Sequence, residues 1–287
     1  MNGLQETTFR NGRLLLEDTD RDNVQTNSRL MSDGQTTQRI TRSELEFLPV
    51  PPITDTFQPI SHKTLVDTLE EALNLRSFRI VHSEFAASPD GMKLFGLLEL
   101  NSALDGVRFA IGLRNSNDKS MRLGLVAGYR VKVCDNMMFQ GEFKPMLAKH
   151  TKGLDLIESV SIGVDRIHRG IEPLYRSIET KRLTRITDDE ARVLIYQAFL
   201  EEKFPISLIK DVHRNYFVPP YEAFAERTLW SLENAFTESF KGLLPIKQFE
   251  VTAKLGRFIL PLVTDVPPLA TVPQTAPVAG LAGGDWQ

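Results

Sequence analysis

Between Val107 and Cys134 side chains alternate with a period of two, which extended strands satisfy and helices do not. In the first run Val107, Phe109, Ile111 and Leu113 lie opposite Arg108, Ala110, Gly112 and Arg114. A polar turn, Asn115 to Ser120, separates it from a second run. There Met121, Leu123, Leu125, Ala127, Tyr129, Val131 and Val133 oppose Arg122, Gly124, Val126, Gly128, Arg130, Lys132 and Cys134. One side is apolar and the other small and basic, so pairing the two strands gathers the arginines on one glycine-lined face.

Upstream, FRIVHSEF (78–85) and MKLFGLLEL (92–100) flank Ser88-Pro89-Asp90-Gly91, a tight-turn sequence, and Asp105-Gly106 marks the next reversal. A meander of about four antiparallel strands is expected. A helix capped by Ser61 precedes it, with Leu65, Val66, Leu69, Ala72 and Leu73 as its buried stripe. After Gly153 the period changes to 3.6. Leu154, Ile157, Val164, Ile167, Ile171, Leu174 and Ile178 predict a long helix interrupted at Gly163 and Gly170. Thr187 and Glu190 form a capping box for a second helix, and Pro220 is read as the first turn of a third that runs through Tyr221, Phe224, Leu229, Leu232, Phe236 and Phe240 to Gly242. Strands followed by helices predict the α+β class. The polar stretch 1–60, ending in a Pro-rich connector, is expected to be a flexible arm. Residues 61–263 are expected to form one domain and the Pro/Ala/Gly-rich 264–287 a disordered tail.

The whole chain carries a net charge of -3, which excludes a polybasic coat protein. Within 108–152, however, nine Lys and Arg face three acids. Such local segregation is the footprint of a phosphate-backbone binder, with Arg108, Arg114, Arg122, Arg130, Lys132, Lys144 and Lys149 as the contacting cations. The competing account is a solvated antiparallel face whose glycines pack beneath a helix.

Along the same segment Asn115-Ser116, Arg122, Tyr129 to Asn136 and His150-Thr151 follow one another in an order that resembles an uncharacterised family of phage, plasmid and prophage proteins, and Asn234 sits in a late helix element, Asn234-Ala235-Phe236-Thr237-Glu238, that resembles the same family. The similarity covers about 65–245. Asn117 and Lys119 depart from the family's usual His and Gly in the turn. Asn115, Ser116, Cys134, Asn136, His150 and Asn234 are the motif residues. The resemblance implies a mobile-element setting and no particular reaction. The order of meander and helix is also similar to single-strand-annealing recombinases, which implies single-stranded DNA as partner and self-association as a mode of action.

Catalytic alternatives are weaker. Cys134 with His150 lacks the surroundings of a cysteine enzyme and reads as a buried thiol. Asp135, Glu142 and Lys144 loosely match a magnesium-nuclease arrangement. The five histidines have no metal-binding spacing, and no nucleotide-loop sequence occurs, so no metal or cofactor is expected. With a single cysteine and no long apolar run, a cytoplasmic protein without membrane contact is expected. The expectation is therefore a non-enzymatic nucleic-acid-binding protein; a host-protein interaction factor is the rival.

Overall fold

A computed structural model of the chain describes residues 37–140, 144–243 and 245–263. It is an α+β fold: a seven-stranded antiparallel sheet and, among the described residues, six α-helices. The expected meander is β2 (Ile80–Ala87), β3 (Lys93–Leu104), β4 (Val107–Ser116) and β5 (Leu123–Val131). β1 (Gln38–Ile40) extends it on one side. On the other, β6 (Asn136–Phe139) and β7 (Met146–Ala148) pair with opposite halves of β5. Gly91 and Gly106 adopt φ of 69° and 68° at the two turns read from sequence, where a side chain would be strained.

The apolar face of β4 and β5 is fully buried against α1 (His62–Asn74), α2 (Leu156–Leu183) and α5 (Leu229–Phe240). Ser61 caps α1 and Thr187 makes the expected capping box on α3 (Asp188–Glu201). The aromatic side chains Phe224, Trp230, Phe236 and Phe240 belong to this core.

Three expectations are corrected. α2 runs without a break. Gly163 gives β7 room to approach, since a Cβ there would lie 3.1 Å from the Met146 side chain. The third helix begins at Leu229, not Pro220, because the Thr228 hydroxyl accepts from the Ser231 amide and sets the N-terminus there. Residues Ile209–Phe217 form a separate helix, α4. Finally, the folded body starts before Ser61. β1 pairs with β2, Leu45 and Phe57 are buried, and the Arg42 guanidinium bonds Glu70 at 3.0 Å and also Asp67, both on α1. The expected arm before residue 37 and tail after 263 lie outside the described residues. None of the described helices is long and apolar enough to cross a membrane.

Candidate nucleic-acid interface

The register of β4 with β5 confirms the shared face. Arg108 lies across from Arg130, Ala110 from Gly128, Gly112 from Val126 and Arg114 from Gly124. The cationic, glycine-lined face expected there is not left open. Arg130 bonds Glu84 at 2.6 Å and its Nε lies 3.0 Å from Glu99, while Arg108 donates to Glu99 at 3.2 Å. Glu84 and Glu99 come from β2 and β3, on the same face. His82 approaches Glu84 at 3.1 Å, and its hydrogen bond, with Arg130 behind it, brings the Glu84 carboxyl down to about 2 despite burial. Both arginines are neutralised where they stand. His82, Glu84 and Glu99 bring potential ligand atoms within 4.8 Å of one another, but two guanidinium groups already occupy the carboxylates, which disfavours a cation.

The middle of the face is also covered. The helix α6 (Pro245–Ile259), to which periodicity assigned nothing, lays Phe249 against Phe139 with ring centroids 4.6 Å apart. Ala110, Val126, Met137, Phe139 and Phe249 form a second small core. A Cβ on Gly112 would come within 2.8 Å of Phe139, Phe249 and Val126, and one on Gly128 would lie 2.3 Å from the Met138 carbonyl. The glycines therefore admit a helix and a strand rather than a nucleic acid. Beside this second core a cleft of 520 Å³ remains open, with Phe95, Leu97, Met137 and Phe249 in its walls and Arg39, Asp135 and Gln248 among its polar lining.

At the other end of β4 the charges are arranged differently. Arg114 lies along Gly124, whose Cβ position is 3.4 Å from its Nε, and is buried. Burial first, and the neighbouring Arg122 second, push its guanidinium down to about 10, against the pull of Glu250. β5 pairs Leu123 with Ala148 of β7, so the same register continued one step sets Arg122 across from Lys149. Among the described residues neither Arg122 nor Lys149 has a carboxylate partner. Lys144 lies on the β6–β7 connection, and Lys132 is exposed just past β5 at the Arg130 end. The seven cations read from sequence thus divide between two ends of the sheet.

The motif residues assemble into two buried hydrogen-bonded joints. In the first, Asn115 donates to the Ile60 carbonyl at 2.8 Å and to His62 Nδ1 at 2.9 Å. Its Oδ1 accepts from His150 Nε2 at 2.7 Å, and His62 Nε2 donates to the Gly91 carbonyl at 3.0 Å. Those partners fix the His62 imidazole as neutral: a second proton on it would oppose the Asn115 amide N–H. Burial, and then His62, bring His150 down to about 4. Ser116 bonds Asp118 in the adjoining turn. In the second joint Asn136 donates to Asn234 Oδ1 at 3.1 Å, with the Cys134 thiol 3.9 Å from the same oxygen. Burial pushes that thiol up to about 11, so Cys134 carries no thiolate chemistry.

The sequence pattern gave little sign of the most enclosed charged group among the described residues. Lys181 of α2 donates to Glu233 of α5 at 2.7 Å and to the Tyr129 hydroxyl at 2.7 Å, and Tyr129 in turn bonds Glu233; all three are buried. Only the one basic residue on α2's buried stripe hinted at it. As for a nuclease, Asp135 occupies an exposed turn and Glu142 lies outside the described residues. Comparison with family models, with curated proteins and with solved structures returns no match.

Proposed function

We propose that this protein binds nucleic acid without transforming it, through the Arg114 end of the sheet, and that single-stranded DNA is the polymer it holds. The observation that carries this is the β5–β7 register, which continued one step sets half-buried Arg122 across from exposed Lys149, beside Arg114, with no carboxylate partner for Arg122 or Lys149 among the described residues. Arg122 and Lys149 would neutralise successive phosphates, while Arg108 and Arg130, held by Glu84 and Glu99, are left out of the contact surface. The similarity in element order to single-strand-annealing recombinases favours a single strand over a duplex, and the resemblance to phage and plasmid proteins points to recombination or replication of mobile DNA. Self-association along the strand is part of the proposal.

Fluorescence polarisation with labelled single-stranded DNA tests it. The expected result is micromolar or tighter binding at low salt, with double charge reversal at Arg122 and Lys149 lowering the salt slope by roughly 1.4, about 0.7 for each phosphate that is no longer neutralised. No binding at low salt overturns the proposal.

A second role, contact with a host protein, is favoured by one observation. Val193, Tyr196 and Leu200 are all more than half exposed and share the outer face of α3. Co-purification of a host protein that survives nuclease and is lost in Tyr196→Glu would establish it.

A further inference from the structure

The cationic row at the Arg114 end does not stop at Arg122. β3 pairs Lys93 with Ser116 of β4, and the β4–β5 register, continued two steps past the Arg114–Gly124 pair, sets Ser116 across from Arg122. Residues two apart on a strand share a face, so Lys93, Ser116 and Arg122 lie with Arg114 on the outer side of the sheet. With Lys149 next to Arg122, one line across the strands reads Lys149, Arg122, Ser116, Lys93 and spans three strand spacings, about 14 Å. On the far side of Lys93 the β2–β3 turn presents Asp90, which ends the row.

Lys93 differs from the other two cations of this line because the β4–β5 turn brings a carboxylate to it. Asp118 Oδ1 accepts from the Ser116 hydroxyl and, at 2.9 Å, from the Ser120 amide, while its Oδ2 lies 3.3 Å from the Lys93 ammonium. Burial would raise the Asp118 carboxyl, but the hydrogen bonds from Ser116 and Ser120, with Lys93 behind them, bring it down to about 2, so it is ionised at neutral pH. The turn's other cation, Lys119, lies instead over the Phe57 ring, 5.0 Å from its centre, beside His150.

We propose that a nucleic-acid strand crosses the β-strands at this end, along the line from Lys149 over Arg122 towards Lys93, and that Asp118 withholds Lys93 from it as a third phosphate contact. The inference rests on the reading of the Arg114 end as the nucleic-acid surface. An ionised carboxylate beside Lys93 offsets that cation and repels a phosphate that would lie there. The line therefore holds fewer phosphates than it has cations, and one acid sets its grip.

The test measures binding of a labelled single strand of about twelve nucleotides, within the usual site size, over a series of salt concentrations. The full chain is compared with Asp118→Asn and with Asp118→Asn combined with Lys93→Ala. Asn keeps the Oδ1 acceptor for the Ser120 amide and removes the charge. Asp118→Ser, whose hydroxyl can make the same turn bond, is the second variant, and thermal melts establish that each is folded. Asp118→Asn is expected to bind at least about threefold tighter at low salt and to steepen the salt slope by about 0.7, the share of one more phosphate on a single strand, and Lys93→Ala to cancel both gains. Affinity and slope unchanged in both Asp118 variants overturn the proposal and leave Arg122 and Lys149 as the contact. A gain that survives Lys93→Ala overturns the role given to Lys93. Failure of the unaltered chain and of every variant to bind at low salt overturns this proposal together with the nucleic-acid reading.

Discussion

The two ends of the outer sheet face begin with the same residue types and reach opposite solutions. At the Arg130 end, two arginines meet Glu84 and Glu99 and the charges cancel across four strands. At the Arg114 end the guanidinium lies along Gly124 with Glu250 drawing on it, a neutral joint of His62, Asn115 and His150 sits on the opposite side of the sheet, and among the described residues Arg122 and Lys149 have no carboxylate partner. Arginine on a strand thus tells little by itself. What decides its role is what the side chain reaches on the same face, glutamates of neighbouring strands in one case and a directly opposed glycine in the other.

The sharpest way to break this contrast is to truncate one arginine at each end. Arg130→Ala strands Glu84 and the buried Glu99, so the unfolding free energy should fall by roughly 3 kcal/mol, with Arg108 limiting part of the effect. Arg122→Ala, half-buried and without a carboxylate partner among the described residues, should change stability by less than about 0.5 kcal/mol while weakening DNA binding. Urea titrations of both variants check this. Equal effects at the two ends would show that the ends are not different in kind.

The ends also separate in pH. His62 and His150 are held below their ordinary value of 6.5, so the unfolded chain takes up protons that the folded chain refuses. Stability from the Arg114 end is therefore complete above pH 6.5 and falls as pH drops towards 4. His150 alone accounts for a loss approaching roughly 3 kcal/mol over that window. Glu84 acts lower down: its stabilisation is present above its unfolded value of 4.5 and is lost as pH falls towards 2. His82 has the opposite sign, being raised by Glu84, so its share is present below 6.5 and lost as pH rises through its folded value. Urea midpoints at pH 7 and 5 should therefore report the Arg114 end, and His150→Gln should flatten the difference. A midpoint that does not move between those two values would contradict the neutral-histidine joint.

Much of the fold is legible because local chemistry specifies it. The Ser61 and Thr187 caps, the Gly91 and Gly106 turns and the alternation of 107–131 each depend on a few neighbouring residues. The candidate site is less legible because its character is set by partners distant in sequence. Glu84 stands 46 residues from Arg130, and Asn234 stands 98 from Asn136. Motif order singles out Asn115 with His150 and Asn136 with Asn234, yet only the fold shows that each pair is a joint rather than a reactive centre. The start of α5 escapes a local reading for a related reason. Pro220 is a good local opener, but the Arg185–Thr228 bridge between separate segments positions the true cap.

The covered middle of the face supplies the smallest and most discriminating test. On an open, solvated strand Gly112→Ala would be neutral or slightly stabilising, since alanine lowers the entropy of the unfolded chain. Here the added methyl would meet Phe139 at 2.7 Å and both Phe249 and Val126 at 2.8 Å, and must displace at least one of them. Overpacking of this kind costs about 1–2 kcal/mol. A neutral Gly112→Ala would mean that α6 does not hold this face closed. The arginines at its two ends would then form one continuous surface after all.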